Sequence, residues 1–222
     1  MSYILNIETA TKNCSIALAK EGITVLCKEI AEEGYSHAER LHVFIEEIIK
    51  EAGITFQDIS AIAVSQGPGS YTGLRIGVSA AKGLSYALNI PLIAVDTLQT
   101  LASQVTVSSG LIVPMIDARR MEVYSAIFDK NHSKIRNVEA EIIDENSFEN
   151  YTETLYFVGD CAEKCKMVLT KENFIFLDEI KYPSAKEMSL LSFEKFQKND
   201  TVDVAYFEPY YLKDFMITVS KK

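Results

Sequence analysis

The chain contains 222 residues, of which 48% are hydrophobic and 24% are charged, a composition that excludes disordered, collagen-like and coiled-coil chains. Its length fits one large or two small domains, at roughly 150 residues per domain. The formal net charge of −9 argues against a free-standing nucleic-acid binder, because affinity for phosphates comes from Lys and Arg, but it allows a subunit whose partner holds the nucleic acid.

The first half of the chain predicts three strands followed by alternating helices and strands. Strands are predicted over residues 3–8, 14–19, 23–30, 61–65 and 91–95. Ser36 predicts a helix cap, Glu39 completes a capping box, and Gly53 predicts the end of that helix. Further helices are predicted over residues 74–89 and from a cap at Thr97 to about Gln104.

The second half repeats this order after a polar, turn-prone segment at residues 105–110. We therefore predict an N-terminal lobe of residues 1–104 and a C-terminal lobe of residues 105–222. Strands are predicted over residues 111–116, 122–128, 135–143, 155–158 and 174–177, and helices over 145–151, 161–169 and 183–196.

Each half opens with three strands, and the first of these ends at a carboxylate, Glu8 in one half and Asp117 in the other. The pattern predicts an α/β protein with two lobes, each a mixed sheet with flanking helices. Such a doubled arrangement is analogous to the actin-like ATPase fold.

Four cysteines form no CxxC pair, and we interpret them as ordinary core or surface thiols. The N-terminal segment lacks the basic and apolar regions of a signal peptide, and no apolar run approaches the length of a membrane span. The sequence therefore predicts a cytoplasmic protein that does not enter a membrane.

A glycine-rich segment, GPGSYTGLRIG at residues 67–77, joins a predicted strand to a predicted helix. It is not a Walker A loop, because no Gly-Lys-Ser/Thr follows, and the spacing of Gly67, Gly69 and Gly73 does not fit a dinucleotide fingerprint. Taken alone, the segment fits a tight strand-to-helix turn and an anion site equally well.

Several motifs, taken together and in order, resemble the TsaB (YeaZ) family. They are SHAERL at 36–41, the glycine segment, PLIAVDTLQTLA at 91–102, IDARRMEVY at 116–124, VGDCA at 158–162 and EPYYLKDF at 208–215. Two departures are visible: Glu8 stands where such proteins usually carry Asp, and Tyr71 where they usually carry Phe. Both keep the chemistry of the position.

The resemblance implies an actin-like, non-catalytic subunit of the machinery that makes threonylcarbamoyladenosine in tRNA. Its implied partners are a catalytic actin-like paralogue similar to TsaD and a small P-loop ATPase similar to TsaE. Contact with tRNA would be indirect, a homodimer would form when the chain is alone, and ATP or ADP would bind only within the complex. No cofactor would be required.

The catalytic relatives follow the strand that resembles PLIAV with two metal-binding histidines four residues apart. This chain has Thr97 and Leu101 there, and neither is a normal ligand for iron or zinc. The sequence therefore predicts no metal site.

The helix predicted at 74–89 carries a second stripe of small residues beside its main apolar stripe, so we expect it to pack on two sides. We expect one side to meet the catalytic paralogue. The predicted interface comprises Ile76, Gly77, Ala80, Gly83, Ala87, His37 and Leu41.

Contacts to a nucleotide or a partner are also predicted in the glycine segment, at Gly67, Pro68, Gly69, Ser70, Thr72, Gly73 and Arg75. Weak phosphate contacts are predicted at Thr9, Thr11 and Lys12, although no glycine lies between Thr9 and Asn13 to form the phosphate hairpin of actin-like kinases.

Two alternative functions stay open when the residues alone are considered. An active ATPase or small-molecule kinase would need phosphate hairpins in both lobes, and a metallopeptidase would need metal ligands. His37 and His42 are five residues apart rather than the four of a zincin, so His37 fits a helix-end histidine or a partner contact better than a ligand. Asp117, Arg119 and Arg120 form either an internal ion-pair cluster or a contact to a partner or tRNA.

Overall fold

The computed structural model describes residues 1–31 and 37–212. Its strands are β1 (Tyr3–Glu8), β2 (Cys14–Lys20), β3 (Ile23–Ile30), β4 (Ile59–Ser65), β5 (Leu92–Val95), β6 (Leu111–Asp117), β7 (Glu122–Asp129), β8 (Lys134–Ile142), β9 (Leu155–Val158) and β10 (Phe174–Phe176). Its helices are α1 (His37–Glu51), α2 (Tyr71–Leu88), α3 (Thr97–Ala102), α4 (Ala162–Lys166) and α5 (Met188–Gln197).

The strands form two sheets of five with the same internal order. The first sheet runs β3-β2-β1-β4-β5 and the second runs β8-β7-β6-β9-β10. In each sheet the first three strands are antiparallel and the last three are parallel. The predicted doubling and the predicted fold class are thereby confirmed.

The two faces of the first sheet are covered by helices from opposite ends of the sequence. On one face, Leu5 and Ile7 of β1 pack in a cluster with Leu41 of α1 and Val78 of α2. On the other face, Ile4 packs in a cluster with Ala61, Ile93 and Met188, the last from α5. Side chains that alternate along a strand point to opposite faces, so β1 serves both layers.

The second sheet is also covered on both faces. Phe157 of β9 packs with Cys161 and Cys165 on the side of α4, and all three side chains are buried. On the other side Leu101 of α3 packs against Phe128 of β7. The cysteines of the described chain carry free thiols, as the sequence interpretation held.

The division into lobes of residues 1–104 and 105–222 stays a prediction. Residues from the second of these ranges pack on the sheet formed by the first. Helix α5 belongs to the second half of the sequence yet contacts all five strands of the first sheet. Beyond α5, Val202 forms an isolated bridge with Leu92 at the edge of β5.

Several predicted boundaries were wrong for local reasons. Helix α2 begins at Tyr71, three residues earlier than predicted, because the Ser70 hydroxyl caps Gly73 N–H. The cap of α3 is Asp96, whose carboxylate accepts from two backbone N–H groups, and not Thr97. Helix α5 begins at Met188 rather than at residue 183.

The helix predicted over residues 145–151 was also wrong, because a series of turns occupies residues 145–150. The predicted end of α1 is confirmed by Gly53, which has a φ of +66° just after the helix. The predicted capping box at Ser36 lies outside the described residues. Within the ranges described, the helices are all too short or too polar to cross a membrane.

Candidate functional site at the start of helix α2

The β1–β2 loop lies directly against the first turns of α2. The Thr9 hydroxyl donates a 2.8 Å hydrogen bond to the Gly73 carbonyl, and Ser70 N–H donates a 2.7 Å bond to the Ala10 carbonyl. The predicted glycine segment and the predicted phosphate loop are therefore bonded to each other in one compact junction.

Three glycines make this close approach possible. A Cβ atom on Gly69 would overlap the backbone of Ala10, and a Cβ on Gly73 or Gly77 would overlap Thr9. Each glycine is thus required by packing of the helix on the loop. Of the two interpretations of the segment, the tight turn accounts for these glycines, and the anion site stays a prediction.

The start of the segment is fixed by α3. Gly67 has a φ of +108°, a left-handed conformation that favours glycine, and both Gly67 and Pro68 are buried. Gly67 N–H donates a 3.0 Å hydrogen bond to the hydroxyl of Thr97, which is fully buried. Leu101 lies one turn later in the core of the second sheet. At the two positions where the resemblance implies histidines in catalytic relatives, this chain therefore has a hydrogen-bonded threonine and a leucine packed in the core.

The residues predicted to contact phosphate differ in their exposure to solvent and in their existing hydrogen bonds. Thr9 is buried and donates its hydroxyl proton to Gly73, so it is not free to donate to a phosphate. Thr11 is also buried, whereas Lys12 is exposed. Their predicted role stays a prediction, and Thr9 is the least suited of the three.

Glu8 ends β1 inside the protein. Its Oε1 atom accepts a 2.6 Å hydrogen bond from Ala10 N–H, and its Oε2 atom has no hydrogen-bond partner in the described part of the chain. Burial raises the pKa of Glu8 to about 7, against the opposing effect of the Ala10 N–H and the nearby Ser65 hydroxyl. The carboxyl group thus anchors its own loop.

His37 begins α1 beside the same junction. Its Nε2 atom lies 2.8 Å from the Thr11 carbonyl oxygen, and burial lowers the pKa of the imidazole against the effect of that hydrogen bond. Among residues 1–31 and 37–212, His, Cys, Asp and Glu side chains form no group of three or more that could hold a metal ion. His37 is thus a half-buried residue at the start of α1, and its contact to a partner stays a prediction.

The predicted interface is only partly on the surface. Leu41 is fully buried in the core and Gly77 is buried against Thr9, so these two do not present surface to a partner, which corrects their assignment. Ile76 and Ala80 are half-buried against the core cluster that also contains α1. We missed this because helical spacing shows which residues share a stripe and not which neighbour covers it.

The outward face of α2 is formed by seven exposed residues, which we call the α2 strip: Tyr71, Thr72, Arg75, Ser79, Gly83, Tyr86 and Ala87. Arg75 donates a 2.7 Å hydrogen bond to the Tyr71 hydroxyl and lies over its ring. Tyr86 is 82% exposed, and a Cβ atom on Gly83 would meet no heavy atom within 4 Å outside its own helix backbone.

Sequence reasoning missed a C-terminal segment, residues 202–211, that runs beside α2. The Lys82 ammonium donates hydrogen bonds of 3.0 and 2.9 Å to the carbonyls of Ala205 and Phe207. Tyr210 N–H donates a 2.7 Å bond to the Gln66 carbonyl, and the Tyr211 ring lies 5.2 Å from the Tyr71 ring. No signal in the sequence places these residues, because the contacts span more than 120 positions.

The residues singled out in the second lobe lie at the β6–β7 turn. Lys164 of α4 forms an ion pair with Asp117, and Asp117 N–H donates a 2.9 Å hydrogen bond to the Asp160 carboxylate. Burial raises the pKa of Asp160, with the Asp117 N–H opposing. An internal ion pair is therefore present, but Lys164 and not Arg119 or Arg120 supplies its cation.

The chain is similar to known proteins over most of its length. A model of the family described as TsaD, tRNA N6-adenosine threonylcarbamoyltransferase, matches residues 29–219. The Escherichia coli K12 tRNA threonylcarbamoyladenosine biosynthesis protein TsaB is 31% identical over 95% of this chain and 94% of its own length. A Bacillus subtilis tRNA N6-adenosine threonylcarbamoyltransferase is 42% identical over 42% of this chain and 31% of its own length.

The fold is shared with a solved structure, YeaZ from Pseudomonas aeruginosa. That structure superposes with a TM-score of 0.80 at 25% identity and covers 96% of this chain and 100% of its own. The two five-stranded sheets and these matches define a protein of the actin-like fold class that includes TsaD-like domains. Within that class, the chain belongs to the TsaB (YeaZ) family.

Proposed function

We propose that the chain acts in the biosynthesis of tRNA threonylcarbamoyladenosine as a non-catalytic subunit. The relatives named above support the pathway. The non-catalytic role is supported by the residues at the two positions where the catalytic relatives would have metal-binding histidines. Thr97 bonds to Gly67 and Leu101 fills the core, so neither offers a ligand to a metal.

The site around Glu8 supports the same proposal against an active ATPase or kinase. Its carboxyl is fully buried and bonded to Ala10 N–H, so it is not accessible to a phosphate or ion that arrives from solvent. The Thr9 hydroxyl is committed to Gly73. The β1–β2 loop, which would bind a phosphate in an active kinase, is instead hydrogen-bonded to the start of α2. ATP or ADP would bind only when a partner completes a site, and no cofactor is needed by the isolated chain.

The α2 strip is the surface proposed for the catalytic actin-like paralogue. Its centre at Gly83 leaves room for a close approach, and Tyr86 offers a large, rigid contact of the kind enriched at interfaces. The same strip would join two copies of this chain when the paralogue is missing. The small P-loop ATPase would join this pair in the cytoplasm, and tRNA would be held through the complex.

The test is reconstitution. The purified chain is expected to hydrolyse ATP no faster than a buffer control and to support threonylcarbamoylation of tRNA only with the catalytic paralogue and the P-loop ATPase present. Omission of this chain from the full mixture is expected to abolish the modification. Stoichiometric ATP turnover by the chain alone, lost on Glu8→Gln, would refute the non-catalytic role. Unchanged modification without the chain would refute the pathway.

A further inference from the structure

Two consecutive arginines at the β6–β7 turn adopt a backbone conformation that side chains rarely adopt. Arg119 has a φ of +75° and Arg120 a φ of +53°, both in the left-handed region. Turn positions of this kind are usually filled by Gly, Asn or Asp, because a Cβ atom is crowded there. Among the described residues, non-glycine positive φ occurs in several turns, but only this turn has it at two adjacent positions.

The surrounding structure holds the turn in this form. Ala118 N–H donates to the Glu122 carbonyl, and Glu122 N–H donates to the Arg119 carbonyl, both at 3.1 Å. The Lys164 ammonium donates to the Arg120 carbonyl at 2.7 Å and to the Glu122 carbonyl at 2.9 Å. The backbone of the turn is therefore clamped from inside by a lysine that has no remaining capacity for an external ligand.

The two arginine side chains take no part in this clamp. Both residues are exposed. Within residues 1–31 and 37–212, neither guanidinium forms a hydrogen bond or an ion pair, although Asp117, Glu122 and Lys164 around them all do. Two adjacent cationic side chains are thus presented to solvent by a held backbone that would be relaxed by glycine. Strain of this kind persists where a site requires it.

We propose that Arg119 and Arg120 bind the phosphodiester backbone of the RNA on which the complex acts. This inference rests on the proposed function. The guanidinium group matches phosphate oxygens with two parallel hydrogen bonds, and two adjacent arginines on one held turn offer this match to neighbouring phosphates. The contact adds to those of a partner, because a chain of net charge −9 does not bind RNA unaided.

RNA is favoured over the catalytic paralogue by the location of the pair. The surface proposed for that paralogue, the α2 strip, lies on a helix of the first sheet. The arginines lie at a turn of the second sheet, on a different lobe. Contacts to phosphate fix the position of a nucleic acid and do not read its sequence, so the pair would orient tRNA without selecting it.

The experiment uses the reconstituted complex and a tRNA substrate at several salt concentrations. The Arg119→Gly/Arg120→Gly double variant is expected to leave assembly intact and the thermal midpoint unchanged or raised, because glycine suits the turn. Its tRNA affinity should fall, and the slope of log affinity against log salt should become shallower by about 1.5 to 2 units, the value for two lost phosphate contacts. Arg119→Lys/Arg120→Lys should keep most of the slope.

A matched control removes two exposed lysines elsewhere, Lys130→Ala with Lys198→Ala, and so makes the same change in net charge. An equal change in slope in this control would overturn the inference, since net charge alone would explain it. Loss of assembly in the glycine variant would overturn it in favour of an acidic protein contact. Wild-type affinity and slope would overturn it outright. Failure of the wild-type complex to modify tRNA would instead be failure of the proposed function.

Discussion

The Thr9 hydroxyl and the Gly73 carbonyl are joined by a 2.8 Å hydrogen bond across 64 positions of sequence. This bond ties the β1–β2 loop to the first turn of α2. It also explains the glycine-rich segment, because the helix can reach the loop only where Gly69, Gly73 and Gly77 remove the Cβ atom.

Alanine at the three packed glycines is expected to destabilise the protein, by about 1–3 kcal/mol each, since the added methyl group overlaps the backbone or side chain of Thr9 or Ala10. Gly83→Ala in the same helix is the control and should stabilise by about 0.5–1 kcal/mol, because its Cβ atom enters open space. Urea unfolding of the four variants measures both effects. Equal effects at Gly73 and Gly83 would contradict the packing role.

Glu8 makes stability depend on pH. The unfolded chain loses this proton near pH 4.5 and the folded chain near pH 7, so between these values only the folded state keeps it. Stability therefore falls as pH rises through this window, by roughly 3 kcal/mol in total, and is level above it. Glu8→Gln should remove this fall because the amide does not titrate, and the amide oxygen can still accept from Ala10 N–H. Urea midpoints from pH 4.5 to 8 test it, and parallel curves for the two proteins would count against the raised pKa.

Lys82 holds the C-terminal segment against α2 through the carbonyls of Ala205 and Phe207. Lys82→Met should keep the aliphatic packing and lose both bonds, at a cost of about 1–2 kcal/mol. Amide hydrogen exchange is expected to rise in residues 203–211 and to stay unchanged in β6 and β7. Lys198→Met, an exposed lysine after α5, serves as the control. Protection that is unchanged in residues 203–211 would show that Val202 and Phe207 packing alone holds the segment.

Gly83→Arg is expected to leave the monomer folded and to abolish binding to the catalytic paralogue, because the new side chain projects from the centre of the α2 strip. Gly83→Ala, which adds only one methyl group to this surface, should weaken binding much less than Gly83→Arg. Val78→Asp, which buries a charge in the core, should unfold the monomer and so marks the opposite outcome. Circular dichroism measures whether each variant is folded, and analytical ultracentrifugation measures whether it binds the paralogue. Undiminished binding by a folded Gly83→Arg protein would place the interface elsewhere.

The architecture could be predicted because helices and strands each produce a local periodicity of hydrophobic residues in the sequence. Three strands at the start of each half predicted the doubled sheets, and the predicted bounds of β1, β3 and β9 matched those of the structure. Residues with two possible roles were placed less well. The sequence predicts Thr97 as a helix cap, but Asp96 caps the helix and the Thr97 hydroxyl accepts a hydrogen bond from Gly67 N–H.

The site was harder to predict because its decisive contacts are long-range. The interface stripe contained Leu41 and Gly77, which α1 packing and the Thr9 loop bury. Helix α5 was expected within the second lobe, yet Met188 packs on the first sheet. Periodicity identifies an apolar face and gives no information on which distant segment will cover it.

The position of α5 determines when the packing of the first sheet can be completed during synthesis of the chain. The strands of the first sheet leave the ribosome early, but the layer that contains Ile4, Ala61 and Ile93 receives Met188 only when nearly the whole chain has been synthesised. Until then, one side of that sheet exposes a row of aliphatic side chains to water and to other nascent chains. A fragment of residues 1–104 would keep this state permanently, so it should be recovered as aggregates or bound to chaperones, whereas the full chain encloses the row as α5 docks.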